Sequence, residues 1–386
     1  MKNILFFTHY LVGGGAEKTV VNLVEYMNKT YQDIHAYIGV VYDDETVHAQ
    51  LNCVHVLKSR TTPQMSKLRK LPVIIRQVSE LKQLKKKLHI DVCISFLPGA
   101  DFLNVLSRGK EKIVISVRNK ESFFVKNFLR KWYIKFCYNR SDRIIAISEG
   151  VKQDIVEYFG VKQEKVQVIY NPVPQANPSE KTSAKFEELY DKKRIAINIG
   201  RLTEQKGQKY LLRAFRIVVE RVPDAHLVIL GTGELERELA DEIRRLQLQN
   251  NVTLMGFVYN PMDYVEKAEM FVFSSVVEGF GNVLLEVMRT GKPIISTDCD
   301  FGPRELLAPD TDFRKKTNKI EYAEYGVLVP VMKQEERSIE MMADAVLHML
   351  QDEQLRAKYQ KKSAERIKKF EIGQTAREWF TMLEEL

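Results

Sequence analysis

The sequence predicts an α/β protein with two doubly wound, Rossmann-like domains. Three observations lead to this prediction. At 386 residues the chain is long for a single core and suits two domains of similar length. Short apolar runs alternate with segments of helical periodicity, as parallel strands covered on both faces alternate with crossover helices. A proline-rich segment at 171–179 interrupts this alternation, which then starts again.

The first domain is predicted to cover residues 1–171. It opens with a strand at 3–8, a glycine turn at 13–15 and a helix at 16–27, which is the start of an α/β unit. Later apolar runs, bounded by polar residues or glycine, predict four more strands, at 90–96, 113–117, 143–147 and 166–170. Ligands of such sheets bind beyond the carboxyl ends of the strands, so we look for chemistry in the loops that follow them.

A linker is predicted at 172–185, because its prolines and polar residues can continue neither a helix nor a strand. The second domain is predicted at 186–365, with helices at 208–222 and 234–246. Its predicted strands lie at 194–199, 226–230, 252–255, 270–273 and 293–296. Residues 366–386 are predicted to form a C-terminal helix, since apolar residues recur there at helical spacing.

Charge is divided unevenly between the two halves. The net charge is +8, and the first 171 residues hold 27 Lys and Arg against 16 Asp and Glu. The remaining residues hold 32 against 35. A basic half favours anionic partners such as phosphates, nucleic acid or an acidic membrane surface. No run suits a signal peptide or a membrane span, so the protein is expected in the cytoplasm.

Two loops at predicted strand ends carry groups suited to an anion. In the first, glycines at 13–15 let the backbone approach the ligand while the following helix points free N–H groups toward it. A tight turn that needs positive φ explains these glycines equally well. In the second, Arg201 and Lys206 are two cations five residues apart that can clamp a diphosphate. Solvated loop charges are the structural alternative.

The most specific signal is a pair of acids, Glu278 and Glu286, eight residues apart. Glu278 is placed in a glycine-rich loop and Glu286 in a helix predicted to begin near Asn282, so one ligand can be held at two separate hydroxyl groups. Backbone N–H groups of Gly281, Asn282 and Val283 are placed to meet a phosphate between them. Two acids on a solvated helix end are the alternative, but the apolar neighbours of Glu286 predict a half-buried carboxylate that needs a partner.

Together these motifs resemble a known family. Gly-Gly-Ala-Glu at 14–17, Gly-Arg-Leu followed by Lys-Gly at 200–207, and Glu-x7-Glu at 278–286 occur in one order over nearly the whole chain. They are similar to the retaining family 4 glycosyltransferases, also called glycosyl transferases group 1, of the GT-B fold. The resemblance implies that the two Rossmann-like domains face each other across a cleft. It also implies a nucleotide-sugar donor mainly on the second domain and a saccharide acceptor mainly on the first. It also implies that the helix at 366–386 returns to the first domain.

The resemblance assigns roles to individual residues. It implies that Arg201 and Lys206 bind the donor pyrophosphate and that Glu278 contacts the hydroxyls of the donor sugar, and these three are the expected catalytic residues. Glu286 is expected to contact the ribose. The loop at 300–305 is similar to the segment that closes over the donor. The further residues expected to bind the donor are Gly14, Gly15, Gly281, Asn282 and Val283.

The loop after the strand at 113–117 departs from the family pattern. Many members have a histidine there that touches the donor sugar, whereas this chain has Arg118 and Asn119. Arg118 can serve the diphosphate or an acidic acceptor, and Asn119 can hydrogen-bond a hydroxyl. An ordinary loop pair is the structural alternative. Together with Glu17, these residues are the candidate contacts to the acceptor or the donor sugar.

No cofactor is expected, because the nucleotide sugar is itself a substrate, and no metal is expected either. Asp298 and Asp300 form the Asp-x-Asp pattern that binds a divalent cation in the other large glycosyltransferase fold. Here they follow a late strand, and GT-B enzymes resemble one another in doing without that metal. The seven histidines and four cysteines have no spacing typical of a zinc site or a disulfide framework.

The predicted function is transfer of a sugar, with retention, from a nucleotide sugar expected to be UDP-linked to a saccharide expected to be lipid-linked, in cell-surface polysaccharide synthesis. A nucleotide-sugar epimerase of the same fold is the alternative, although Glu-x7-Glu with Arg and Lys upstream favours transfer. An oxidoreductase would need Gly-x-Gly-x-x-Gly after a strand, which the glycines at 13–15 do not form. The basic half lacks the signatures of nucleic-acid-binding modules, so nucleic acid is not an expected partner.

A membrane surface is a further expected partner. The segment 123–136 interleaves aromatic residues with cations, as does a helix that lies on an anionic bilayer. A helix that faces the core and has solvated lysines explains the pattern equally well. From the first interpretation we expect peripheral association with the inner face of the cell membrane.

Overall fold

The computed structural model describes residues 1–11, 15–42, 53–59, 66–173, 182–333 and 335–386. The chain forms two compact units: Met1–Pro174 with Glu371–Leu386 is one, and Gln175–Phe370 is the other. A helix begins at Ala184, within the segment assigned to the linker from the sequence. Its Ser183 cap, which accepts a hydrogen bond from the backbone N–H of Phe186, explains why a helix starts there.

The first unit is built on a parallel sheet of seven strands. These strands are β1 (Lys2–Thr8), β2 (Ile34–Val40), β3 (Val54–Val56), β4 (Val92–Phe96), β5 (Lys112–Val117), β6 (Arg143–Ala146) and β7 (Val166–Val168). Their order across the sheet is β3-β2-β1-β4-β5-β6-β7, and every neighbouring pair is parallel. The helices among these strands are α1 (Gly15–Thr30), α2 (Lys67–Lys87), α3 (Pro98–Leu106), α4 (Glu121–Phe124), α5 (Phe128–Arg140) and α6 (Glu149–Gln153).

The second unit repeats this arrangement. Its helices are α7 (Ala184–Tyr190), α8 (Gln208–Arg221), α9 (Glu236–Arg245), α10 (Pro261–Lys267), α11 (Asn282–Arg289), α12 (Pro303–Leu307), α13 (Glu336–Gln351) and α14 (Glu353–Arg366), of which α7 precedes the first strand and α13 and α14 follow the last. Its strands are β8 (Arg194–Ile199), β9 (Ala225–Leu230), β10 (Val252–Gly256), β11 (Met270–Phe273), β12 (Ile294–Thr297), β13 (Glu321–Tyr322) and β14 (Val327–Val329). The strand order is β10-β9-β8-β11-β12-β14-β13, in which β13 alone runs antiparallel to its neighbour.

The strands predicted from the sequence agree with the observed ones within two residues at each end. Sequence reasoning missed β2, β3, β13 and β14. The described helices between the strands bury one face against each sheet, so the apolar side chains of the central strands are almost wholly buried. Both units therefore have the doubly wound architecture that places ligands at the carboxyl edge of the sheet.

The C-terminal helix α15 (Ile372–Glu384) belongs to the first unit. Trp379 on this helix is 1% exposed, and its ring lies 6.2 Å from that of Phe6 on β1. Phe380 stacks on Tyr31 with ring centroids 4.6 Å apart. The apolar face of α15 therefore completes the core of the first unit.

The aromatic and basic segment 123–136 is not one helix. It forms α4 and α5, which are separated at Val125–Asn127. The Asn127 side chain accepts a hydrogen bond from the backbone N–H of Arg130 at 2.9 Å and so caps a new helix start. No helix in the described ranges combines the length and apolarity needed to cross a membrane.

Candidate active site

The loops that follow β8 and β11 lie side by side, because these two strands are neighbours in the second sheet. The hydroxyl of Ser274 donates to the backbone carbonyl of Lys206 at 2.8 Å. The backbone N–H of Val276 donates to the carbonyl of Gln205 at 2.8 Å, and the Gln205 side chain donates to the carbonyl of Val277 at 2.9 Å. These bonds hold the predicted pyrophosphate loop against the loop that carries Glu278.

Gly207 is required where the two loops meet. Its φ is 64°, and a Cβ at this position would lie 2.3 Å from the carbonyl oxygen of Ser274. A side chain would therefore push the two loops apart and would also be strained in the left-handed region. Helix α8 starts at the next residue, so the glycine releases the chain directly into a helix, as the sequence predicts.

Lys206 and Glu278 form an ion pair between the two loops. The Lys206 Nζ atom lies 2.5 Å from Glu278 Oε1, although the residues are 72 positions apart in the chain. Glu278 is 8% exposed, and the Lys206 ammonium lies 5.5 Å from the centre of the Phe273 ring. The backbone of Glu278 is held as well, since its N–H donates to Asp300 and its carbonyl accepts from Phe301. The result is a fixed, largely buried pair of opposite charges at the carboxyl edge of the sheet.

Arg201 is placed differently from Lys206. Its side chain is exposed and takes part in no ion pair found within the described part of the chain. The backbone beside it is fixed, since the N–H of Leu202 donates to the carbonyl of Thr232 at 3.0 Å. The structure thus leaves the Arg201 guanidinium available to a ligand while holding the loop that carries it.

The loop after β9 is a part of the site that sequence reasoning missed. Gly233 packs so closely that a Cβ would lie 2.4 Å from the carbonyl oxygen of Leu202. The sequence contained a signal for this contact, because Gly231-Thr232-Gly233 directly follows a strand. Glycines in that position indicate close approach of two backbones.

Helix α11 begins at Asn282, which confirms the predicted helix start. Gly281 precedes it in the left-handed conformation, with φ at 85°. Glu286 lies in the second turn of the helix and is half-buried, as its apolar neighbours predicted. Asn282 and Val283 are also partly exposed, so the first turn of the helix remains accessible to a ligand.

The Asp-x-Asp pattern is engaged in bonds within the second unit. Asp298 is 1% exposed and lies 2.6 Å from the guanidinium of Arg304, which also pairs with Glu321 at 2.8 Å. Hydrogen bonds from Arg304 lower the pKa of the Glu321 carboxyl. Asp300 pairs with Lys316 at 2.9 Å. No group of three or more His, Cys, Asp or Glu side chains suited to a metal ion occurs among the residues described.

Only some of the candidate residues of the first unit lie within the described residues. Gly14 lies outside the described residues, Gly15 is the first residue of α1, and the side chain of Glu17 is likewise outside the description. Arg118 follows β5 and is buried, whereas Asn119 is partly buried. The Arg118 side chain is therefore withdrawn from solvent.

Comparison with known proteins decides the family. Residues 179–366 match the family described as glycosyl transferases group 1, and residues 13–176 match the family described as glycosyltransferase family 4. An uncharacterized glycosyltransferase of Methanocaldococcus jannaschii is 34% identical over 319 residues, which cover 77% of this chain and 78% of that protein. The chain belongs to glycosyltransferase family 4. It is therefore an enzyme of the hexosyltransferase type, and the epimerase alternative has no support.

One further relative and one solved structure match this family 4 glycosyltransferase over nearly its whole length. The relative is the N-acetylgalactosamine-N,N'-diacetylbacillosaminyl-diphospho-undecaprenol 4-alpha-N-acetylgalactosaminyltransferase of Campylobacter jejuni. It is 29% identical over 386 residues, and the match covers 98% of each protein. The solved structure is the crystal structure of Anabaena HepE in complex with UDP. Its TM-score to this chain is 0.78, with 21% sequence identity and full coverage of both chains. This likeness confirms the α/β GT-B fold that the sequence predicts.

Proposed function

We propose that this glycosyltransferase moves a sugar, with retention of anomeric configuration, from a UDP-sugar to a lipid-linked saccharide in cell-surface polysaccharide synthesis. The observation that carries the proposal is the Lys206–Glu278 pair, held between two loops at the carboxyl edge of the second sheet. The complex of Anabaena HepE with UDP supports the choice of nucleotide. The diphospho-undecaprenol in the name of the Campylobacter relative supports the choice of acceptor.

The reaction breaks the bond between the anomeric carbon and the diphosphate oxygen, and negative charge develops on the leaving diphosphate. Lys206, Arg201 and the N–H groups at the start of α11 stabilise this charge, which makes catalysis mainly electrostatic. The acceptor oxygen bonds to the same face of the sugar, and its proton passes to the departing phosphate oxygen. This is a same-face substitution through an ion pair.

Glu278 acts as an orienting group in this scheme. Its Oε1 atom accepts the hydrogen bond from Lys206 and so fixes the ammonium. Its second oxygen has no side-chain donor among the described residues and can accept from a hydroxyl of the donor sugar. Glu286 contacts the ribose, and Gly14 and Gly15 approach the donor phosphate. The scheme requires no metal and no cofactor, because cationic side chains and helix N–H groups supply the positive charge at the diphosphate.

A panel of UDP-, GDP- and ADP-sugars tests the donor and the reaction class together. We expect the wild-type chain to release UDP from a UDP-sugar and the Lys206→Met variant to lose this release. Release from GDP- or ADP-sugars alone would contradict the choice of nucleotide. Conversion of the sugar while it stays attached to the nucleotide would contradict transfer itself.

The membrane part of the proposal depends on an aromatic–basic surface, which we define as the exposed residues of α4, α5 and the turn between them. The large apolar side chains Phe123, Phe128, Leu129 and Trp132 are 55–77% exposed there. Phe128, Leu129 and Trp132 share one face of α5, while Ile134 on the opposite side is buried. Phe123, Phe128 and Trp132 therefore do not face the core of the unit. Tyr133 does pack inward, with its ring 5.0 Å from that of Phe102, so the alternative interpretation holds for that side of α5 only.

Charge complementarity points to an anionic bilayer as the partner of this surface. The four cations that accompany the aromatics are Lys126, Arg130, Lys131 and Lys135. Each cation near an anionic membrane contributes about 1 kcal/mol, and the aromatic rings suit the interfacial region. Exposed apolar residues rimmed by cations are costly in water alone, since contiguous apolar patches are rare on soluble surfaces.

Sedimentation with vesicles that contain anionic lipid tests this surface. In the test variant, glutamine replaces Lys126, Arg130, Lys131 and Lys135. In the control variant, which has the same net charge, glutamine replaces four exposed lysines elsewhere on the first unit, Lys29, Lys110, Lys112 and Lys162. We expect the wild type and the control to pellet at low salt and the test variant to remain in solution. A wild type that stays in the supernatant, or two variants that behave alike, would favour a soluble acceptor.

A further inference from the structure

Arg118 is a buried cation that has no counter-charge among the described residues. It is 8% exposed, and its Nε and Nη2 atoms are covered from solvent and have no hydrogen-bond partner within the described ranges. Its Nη1 atom donates to the side-chain oxygen of Asn171, a neutral amide. The guanidinium lies 4.7 Å from the centre of the Phe96 ring.

This arrangement is unfavourable for the chain alone. A buried guanidinium loses its hydration, and two of the Arg118 nitrogen atoms gain no partner from the described residues in return. Burial lowers the pKa of the Arg118 guanidinium to about 9, which still leaves it charged at neutral pH. Burying an unpaired cation costs folding free energy. Such a cost is expected at a binding site, where the ligand supplies the missing negative charge.

The position of Arg118 fits such a site. Arg118 directly follows β5, Phe96 is the last residue of β4, and Asn171 lies beyond the end of β7. The side chain therefore extends over the carboxyl edge of the first sheet, where doubly wound domains bind their ligands. The Phe96 ring supports the plane of the guanidinium, and Asn171 holds one of its nitrogen atoms.

The two unpaired donors match one kind of ligand. The Nε and Nη2 hydrogens lie on the same edge of a guanidinium and point in parallel, so together they bind two oxygen atoms of one anion. We propose that Arg118 binds a phosphate group of a diphosphate through this edge. Because both nitrogens are covered, binding entails a local movement of the loop after β5. The inference rests on the proposed function, whose donor and lipid-linked acceptor each contain a diphosphate.

Calorimetric titration of the full chain with inorganic pyrophosphate, first alone and then with saturating UDP, tests the site. The test variant is Arg118→Met, which removes the charge and keeps an unbranched apolar side chain. The control is Lys112→Met at the exposed opposite end of the same strand. Arg118→Lys keeps the charge without the two parallel N–H groups, and we expect it to bind with intermediate affinity.

If the acceptor supplies the diphosphate, wild-type chain saturated with UDP still binds pyrophosphate, and Arg118→Met weakens that binding at least fivefold. If the donor supplies it, UDP blocks pyrophosphate, and Arg118→Met weakens UDP at least fivefold. Changes below fivefold for both ligands would overturn the proposal. Failure of the wild type to bind UDP would count against the proposed donor. The titration with pyrophosphate alone would still compare the wild type with Arg118→Met.

Thermal unfolding without ligand separates binding from a structural role. A cation kept for a ligand is replaceable by an apolar side chain without loss of stability. We therefore expect Arg118→Met to melt at or above the temperature of the wild type. A lower melting temperature combined with unchanged pyrophosphate and UDP binding would show that Arg118 serves the fold instead.

Discussion

Replacing Lys206 by methionine removes the ammonium that faces Glu278 and keeps a side chain of similar length. The pair is 2.5 Å apart, and the side chains of Lys206 and Glu278 are only 19% and 10% exposed, so solvent screens the charge weakly. Loss of a group that stabilises developing charge costs about 3–4 kcal/mol of activation free energy, or a factor of about 10²–10³ in kcat.

The double variant separates the catalytic role from the structural one. Lys206→Met leaves the Glu278 carboxylate buried without a cation, which costs about 1–3 kcal/mol of unfolding free energy. Adding Glu278→Gln removes that unpaired charge, so stability should recover while activity stays lost. Because the two residues act as a unit, their effects on kcat should not add. The kcat of the double variant should therefore stay close to that of the slower single variant.

The assay is release of UDP from the preferred donor, together with urea unfolding of each purified variant. Lys209→Met is the matched control, because Lys209 pairs with Glu238 on the surface and both side chains are more than a third exposed. We expect its turnover to stay within about twofold of the wild type. Near-normal turnover of Lys206→Met, or fully additive losses in the double variant, would refute the reasoning.

Three further predictions concern stability. A Cβ at Gly302, where φ is 99°, would lie 1.9 Å from the carbonyl oxygen of Phe280, so Gly302→Ala should cost about 3 kcal/mol in urea unfolding. Gly256→Ala has positive φ but no neighbour within 4 Å and should cost about 1 kcal/mol; equal losses would contradict this. Trp379→Ala should cost about 3–5 kcal/mol in calorimetry, and a loss below about 1 kcal/mol would show that α15 is not part of the core. Burial raises the pKa of Glu121 from 4.5 to about 7, so folding stability should fall as pH rises between these values, and Glu121→Gln should be more stable at pH 8 by up to about 3 kcal/mol. A variant with the same pH slope as the wild type would contradict that assignment.

Residue patterns along the chain predict the main strands of this protein and the start of one helix at its candidate site. Apolar runs bounded by polar residues located the main strands, and the glycine before Asn282 located the start of α11. The break at Asn127 was also readable, because asparagine is a favoured helix cap. It was missed because the alternation of aromatics and cations continues across it.

Contacts between distant loops could not be predicted from pattern. Lys206 and Glu278 meet because β8 and β11 are neighbours, and strand order does not follow from periodicity. The burial of Arg118 likewise depends on residues of β4 and of the segment beyond β7. The ion pair of Asp298 with Arg304 is likewise a contact that the Asp-x-Asp pattern alone does not reveal.

The anomeric configuration of the first product tests the central claim most directly. Proton NMR during turnover of an α-linked UDP-sugar, with water or a lipid-diphosphate saccharide as the acceptor, distinguishes the two anomers by the coupling of the anomeric proton. We expect the α anomer to form first, together with UDP, and both signals to be absent with Lys206→Met. Initial formation of the β anomer would contradict same-face transfer at the Lys206–Glu278 site.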